Sequence, residues 1–82
     1  AVSATGNGEA LVRSCGAHEV SALMRHAGMD LASACATVIR DVEEVGLIAL
    51  DSEGSLAMPF DTTLMHRGWK LGDGPVETRV FR

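Results

Sequence analysis

The chain has 82 residues, 46% of them apolar, and 7 basic against 11 acidic side chains give a formal net charge of −4. This balance excludes a disordered tail; no apolar run reaches the ~18 residues of a membrane-spanning helix, and no basic cluster invites nucleic acid. One small domain at most fits the length, burying about 60–65% of its unfolded surface, so cover from outside the chain would add to its stability.

Ala1-Val2-Ser3-Ala4 reads as a short strand and Thr5-Gly6-Asn7-Gly8 as a compact turn, with Gly6 and Gly8 free to take positive φ. The first residue is not Met, and no charged segment leading into an apolar one follows it. A chain that opens in a strand with no lead-in is expected to be a processed or truncated piece of something longer. From Glu9 to Ala27 there is no Pro and helix formers dominate. Val12, Cys15, Gly16, Val20, Leu23 and Ala27 then form one stripe of a single helix, with Glu9 in its first turn and Gly28 as its stop.

Asp30 is a good N-cap for a second helix, whose face is Leu31, Cys35, Val38, Ile39 and Val42. Asp41, Glu43 and Glu44 would oppose the negative end of that helix, which places its stop near Arg40 to Val42. Leu47 to Asp51 and Leu56 to Phe60 read as two strands joined by Ser52-Glu53-Gly54-Ser55, a hairpin with Pro59 at an edge. Leu64 to Lys70 is predicted as a third strand, Leu71 to Pro75 as a turn cluster, and the alternating Val76 to Arg82 as a last strand. The order gives an α+β fold, two helices on a mainly antiparallel sheet. The hairpin is apolar on both faces, so its second face calls for cover that this chain is too short to supply.

The turn at Thr5 to Gly8 is the most informative segment. Two glycines let backbone N–H groups approach a ligand, and a helix start adds positive potential, a setting suited to a carboxylate or a developing oxyanion. The plainer alternative is an ordinary strand-to-helix turn. Cys15, His18, His26 and Cys35 suggest zinc, but Cys15 and His26 lie roughly 16 Å apart along one helix, too far for one tetrahedral ion. No metal site and no cofactor are therefore expected. The two cysteines lack CxxC spacing and read as reduced, buried thiols of a cytoplasmic protein. Ser14, Ser21 and Ser33 have no nucleophile elbow around them. His66-Arg67 beside Trp69 reads either as a cationic patch or as a half-exposed strand.

The run Ala1-Val2-Ser3-Ala4-Thr5-Gly6-Asn7-Gly8-Glu9 resembles a segment of the plant-type L-asparaginase and isoaspartyl peptidase family, N-terminal-nucleophile (Ntn) hydrolases with a Thr nucleophile. The likeness is collinear through Val20-Ser21-Ala22-Leu23-Met24, Gly46-Leu47-Ile48-Ala49-Leu50-Asp51 with the Gly54 turn, Ala57-Met58-Pro59-Phe60-Asp61-Thr62-Thr63, and Met65, Arg67, Gly68 and Trp69. Glycosylasparaginases share the Thr-Gly-x-Gly turn but match the later strands less well. The resemblance implies an αββα sandwich, of which residues 1–82 would be a single segment, the C-terminal part of the second chain of a self-cleaving precursor. The nucleophile would lie upstream of Ala1, so the 82 residues alone are expected to be inactive.

In that resemblance Thr5, Gly6, Asn7 and Gly8 line the substrate pocket, Thr5 and Gly6 giving oxyanion contacts. The implied partners are the upstream part of the same chain and the first chain of the precursor, as a dimer of αβ units (a heterotetramer), with L-asparagine or a β-aspartyl peptide as substrate and neither nucleic acid nor membrane involved. Three features depart from the family pattern: a connection shortened to Asp41-Val42-Glu43-Glu44-Val45, Ala17-His18-Glu19 where Ala-Arg-Asp is more typical, and Asp61 where many relatives carry Asn. The reading from a different class is a non-catalytic α+β structural or interaction subunit.

Overall fold

Side-chain alternation in the strand that follows the helices decides how the molecule is layered. The computed structural model describes residues 1–81. In β2 (Val45–Leu50), Val45, Leu47 and Ala49 are buried while Ile48 and Leu50 are exposed. The buried set faces the helices and the exposed set faces away. β1 (Val2–Gly6) pairs antiparallel with β2, Ala4 opposite Leu47 and Thr5 opposite Gly46. β3 (Leu56–Ala57) pairs with the other side of β2, giving the order β1-β2-β3.

Three helices cover one face. α1 (Gly8–Ser14) and α2 (Gly16–His26) are separated by Cys15, and α3 (Leu31–Val42) follows. Val20 of α2, Leu31, Ala34, Cys35 and Val38 of α3, and Leu47 and Ala49 of β2 form the core. A fully buried Leu such as Leu47 contributes about 1.5–3 kcal/mol relative to exposure. Asp30 caps α3 as the sequence predicts, its carboxylate accepting from Ser33 N–H at 2.8 Å. That bond holds the Asp30 carboxyl below its ordinary value. Burial pushes the Cys35 thiol up.

The single helix expected over Glu9 to Ala27 is two. Cys15 adopts a left-handed conformation, φ 51°, and breaks the ladder. The break shifts the helical register, so Leu11 turns inward, while Val12 is 78% exposed and Cys15 is exposed rather than buried. Gly16 permits the close packing that follows: a Cβ there would meet Leu11 Cδ2 at 3.0 Å and Val38 Cγ1 at 3.7 Å. Gly28 ends α2 with φ 68°, as expected.

The later strands are shorter than predicted. β3 stops at Ala57, ahead of Pro59, and Phe60 forms an isolated bridge to Gly46 rather than extending the strand. β4 (Arg67–Trp69) pairs with β5 (Glu77–Arg79) in a separate two-stranded ribbon. Arg82, included in the last predicted strand, lies outside the described residues. The fold is α+β with antiparallel sheets, as the sequence implies. No helix among the described residues is long and apolar enough to cross a membrane.

Candidate functional site

Thr5 and Gly6 end β1 at the edge of the sheet, and their polar groups can be followed one by one. Leu50 N–H donates to Ala1 O at 2.9 Å, and Asn7 N–H donates to Glu44 O at 3.1 Å. Antiparallel pairs alternate between bonded and non-bonded, so Gly6 and Val45 form a non-bonded pair. The Gly6 N–H is thereby directed away from β2, toward the open edge. The Thr5 hydroxyl makes no hydrogen bond among the described residues, and Thr5 is exposed. Its side chain leaves the sheet on the face away from the helices, where its Cγ2 lies 3.5 Å from the position a Cβ on Gly46 would take.

The two glycines of the turn differ. Gly6 takes φ 112°, and a Cβ on it would sit 2.8 Å from Val45 Cα and would overlap Glu44 O. Gly8 was expected to share this freedom, but it is the first residue of α1 and has no positive φ. No atom lies within 4 Å of where its Cβ would be. Asn7 is the N-cap of α1, its side-chain oxygen accepting from Ala10 N–H at 3.2 Å. With only 7 residues, α1 adds little field, and at the strand end that precedes it the Thr5 hydroxyl and the Gly6 N–H have no partner among the described residues.

The turn is braced from Asp61, which the sequence places in the stretch 57–63 that resembles the family and marks as a departure where many relatives carry Asn. Asp61 Oδ2 accepts from Glu44 N–H at 3.0 Å and Oδ1 from Val45 N–H at 2.8 Å, while Asp61 N–H donates to Val45 O at 3.1 Å. Local sequence carries no signal for this, because the partners are 16 and 17 residues away.

The face beyond Thr5 is apolar and open. Ile48, Leu50 and Leu56 are 48%, 46% and 38% exposed. With Ser3, Met58 and Trp69 they border a groove of about 210 Å³. Arg67 is pinned beside it: its guanidinium lies 4.8 Å from the Phe60 ring centre and donates to Met65 O and Phe81 O at 3.0 and 3.1 Å. The basic dipeptide is thus split, Arg67 serving the fold while His66 is exposed. Cys15, His18 and His26 are exposed and Cys35 is buried. Among the described residues no three His, Cys, Asp or Glu side chains are grouped to hold a metal ion.

The family model described as Asparaginase matches residues 1–80. The chain is 39% identical to the isoaspartyl peptidase of Escherichia coli strain K12, matching over its full length and 27% of that protein. It is 37% identical to a probable isoaspartyl peptidase/L-asparaginase 2 of Arabidopsis thaliana, with 98% of this chain and 26% of that protein covered. A putative isoaspartyl peptidase/L-asparaginase of Dictyostelium discoideum is 36% identical over 94% of the chain and 23% of its own length. The chain thus spans about a quarter of the length of the curated relatives it matches. An edge-strand Thr-Gly pair with open donors, braced inside an α+β layer, and a match from residue 1 to residue 80 agree: the chain belongs to the asparaginase family.

Proposed function

We propose that residues 1–82 are the segment of an Ntn-type asparaginase or isoaspartyl peptidase that supplies its oxyanion donors, Thr5 Oγ–H and the Gly6 N–H. Asn7 and Gly8 shape the turn that presents them. The complete protein hydrolyses the side-chain amide of L-asparagine or a β-aspartyl peptide bond. Its nucleophile is a Thr that self-cleavage exposes upstream of Ala1. The Thr hydroxyl attacks the carbonyl and its own α-amine takes the proton; the C–N bond then breaks, that proton passing to the departing ammonia or amine, and water hydrolyses the acyl-enzyme to release the carboxylate and free the Thr. Negative charge builds on the carbonyl oxygen during attack, and donors already in place stabilise it. The observation that carries this reading is the pair of polar hydrogens at one strand end with no partner inside the described residues. The relatives' names support the substrate class.

The open apolar face of β1 to β3 is where the upstream part of the same precursor packs, completing the αββα sandwich as a cytoplasmic dimer of αβ units. The exposure of Thr5 on that side supports a hydroxyl lying between the layers of the complete protein. Thr5→Val in the complete protein keeps size and β-branching and removes the donor. It should fold and cleave itself, while turnover falls about 100-fold, roughly 2.7 kcal/mol of transition-state stabilisation. The loss should fall on kcat more than on KM, since the charge exists only in the transition state. A fully cleaved Thr5→Val protein with wild-type kcat would assign the hydroxyl to structure instead.

A further inference from the structure

We infer that Asp61 is a positioning residue for the Thr5–Gly6 donors, acting through the backbone of Glu44. This rests on the reading of Thr5 and Gly6 given above. Between α3 and β2 the chain turns through two successive non-glycine residues of positive φ, Glu43 at 62° and Glu44 at 55°. Such a conformation is unfavourable for a residue with a side chain and persists only where its surroundings enforce it. Asp61 enforces it, its two carboxylate oxygens capturing the successive N–H groups of Glu44 and Val45 at 3.0 and 2.8 Å. Bonds to an ionised acceptor are roughly twice as strong as neutral ones.

The peptide held in this way faces the donor turn with its other side. Glu44 O accepts Asn7 N–H at 3.1 Å. Gly6 packs against the same carbonyl so closely that no Cβ fits between them. From the carboxylate to the turn there are two hydrogen bonds and one peptide unit. A displacement of Glu44 therefore moves the residue next to Gly6 directly. An amide at position 61 has one acceptor and one N–H₂ group, so one backbone N–H would lose its partner and face another donor. In this chain a carboxylate with a reach of one methylene accepts both N–H groups at once, which the Asn of many relatives would do less completely.

The test is steady-state kinetics of the complete, self-cleaved protein with L-asparagine and with a β-aspartyl dipeptide. The variants are Asp61→Ala, Asp61→Asn, Thr5→Val and the double variant Thr5→Val/Asp61→Ala. Small misplacements of a catalytic group are costly, so Asp61→Ala should lower kcat by roughly 10- to 100-fold with KM changed less than about threefold. Asp61→Asn, which preserves shape and one bond, should fall between Asp61→Ala and wild type. In the Thr5→Val background Asp61→Ala should cost less than in wild type, because one of the two donors it positions is already gone and only the Gly6 N–H remains to be misplaced. Wild-type kcat in folded Asp61→Asn, or equal fold-losses from Asp61→Ala in both backgrounds, would overturn the inference while leaving the donor assignment intact. Wild-type kcat in Thr5→Val would overturn the donor assignment, and the positioning role with it.

Discussion

Gly6→Ala should destabilise the protein and Gly8→Ala should not, although the two glycines stand two residues apart in one motif. At Gly6 the backbone φ of 112° is one that L-residues avoid, a cost of about 1–3 kcal/mol. The added Cβ would also overlap Glu44 O and sit 2.8 Å from Val45 Cα, both main-chain atoms that cannot rotate aside. β1 must shift, and the Asn7 N–H to Glu44 O bond at 3.1 Å is lost with it, about 1 kcal/mol more. Together these give about 2–4 kcal/mol of destabilisation. At Gly8 the added methyl meets open space and the backbone is already helical, so the change should be neutral or gain about 0.5 kcal/mol through the unfolded chain. Urea unfolding at constant m-value measures both differences. A Gly6→Ala protein within about 0.5 kcal/mol of wild type would show that neither the φ nor the contact with Glu44 constrains the turn.

Cys15 is exposed and Cys35 is buried with its thiol pushed up. A disulfide-exchange reagent should therefore label one thiol of the native chain quickly and the second only after unfolding; two fast thiols would contradict the packing of α3. Because the folded Cys35 value lies above the unfolded one, its contribution to stability is complete below the ordinary thiol range near about 8.5 and is lost as pH rises through the raised value. Asp30 has the opposite sign. Its carboxyl is held low by the bond from Ser33 N–H, so its capping contribution is present above the ordinary Asp value of about 3.9 and is lost as pH falls through the depressed one. Asp30→Asn should flatten that part of the acid-unfolding curve, and an unchanged curve would remove Asp30 from the account.

How far a sequence can be read depends on the range of the forces that set each element. The face of α3 is legible because Leu31, Cys35 and Val38 obey one helical period and Asp30 caps its start locally. The end of α3 is legible from Asp41, Glu43 and Glu44, whose charges oppose the helix dipole. The break at Cys15 is not, because nothing in the residue type announces a left-handed conformation; it is imposed by α2 docking on α3 through Gly16. The stripe drawn through Val12 and Cys15 fails for that reason. Thr5 and Gly6 stand out as a motif, but which of their groups lack partners follows only from the register of β1 on β2. The bonds from Asp61 are set by tertiary approach across a hairpin, beyond any local pattern.

The Cys15 break has a consequence for how the donor turn is maintained. α1 contributes no buried residue, and its one ion pair, Glu9 with Arg13, is solvent-exposed and worth little. Apart from Leu11, which packs beside Gly16, it is tied to the rest of the molecule by the Asn7 junction at one end and a left-handed link at the other. Segments held so lightly open by themselves, and their amides exchange with solvent without global unfolding. β1 is different, since its amides are protected by pairing with β2, whose side chains make the core. Amide exchange is therefore expected to be faster along α1 than along β1, and equal protection of the two would contradict this division. Thr5 and Gly6 are held by the sheet, so substitution of the exposed Glu9, Val12 and Arg13 is expected to leave their position unchanged.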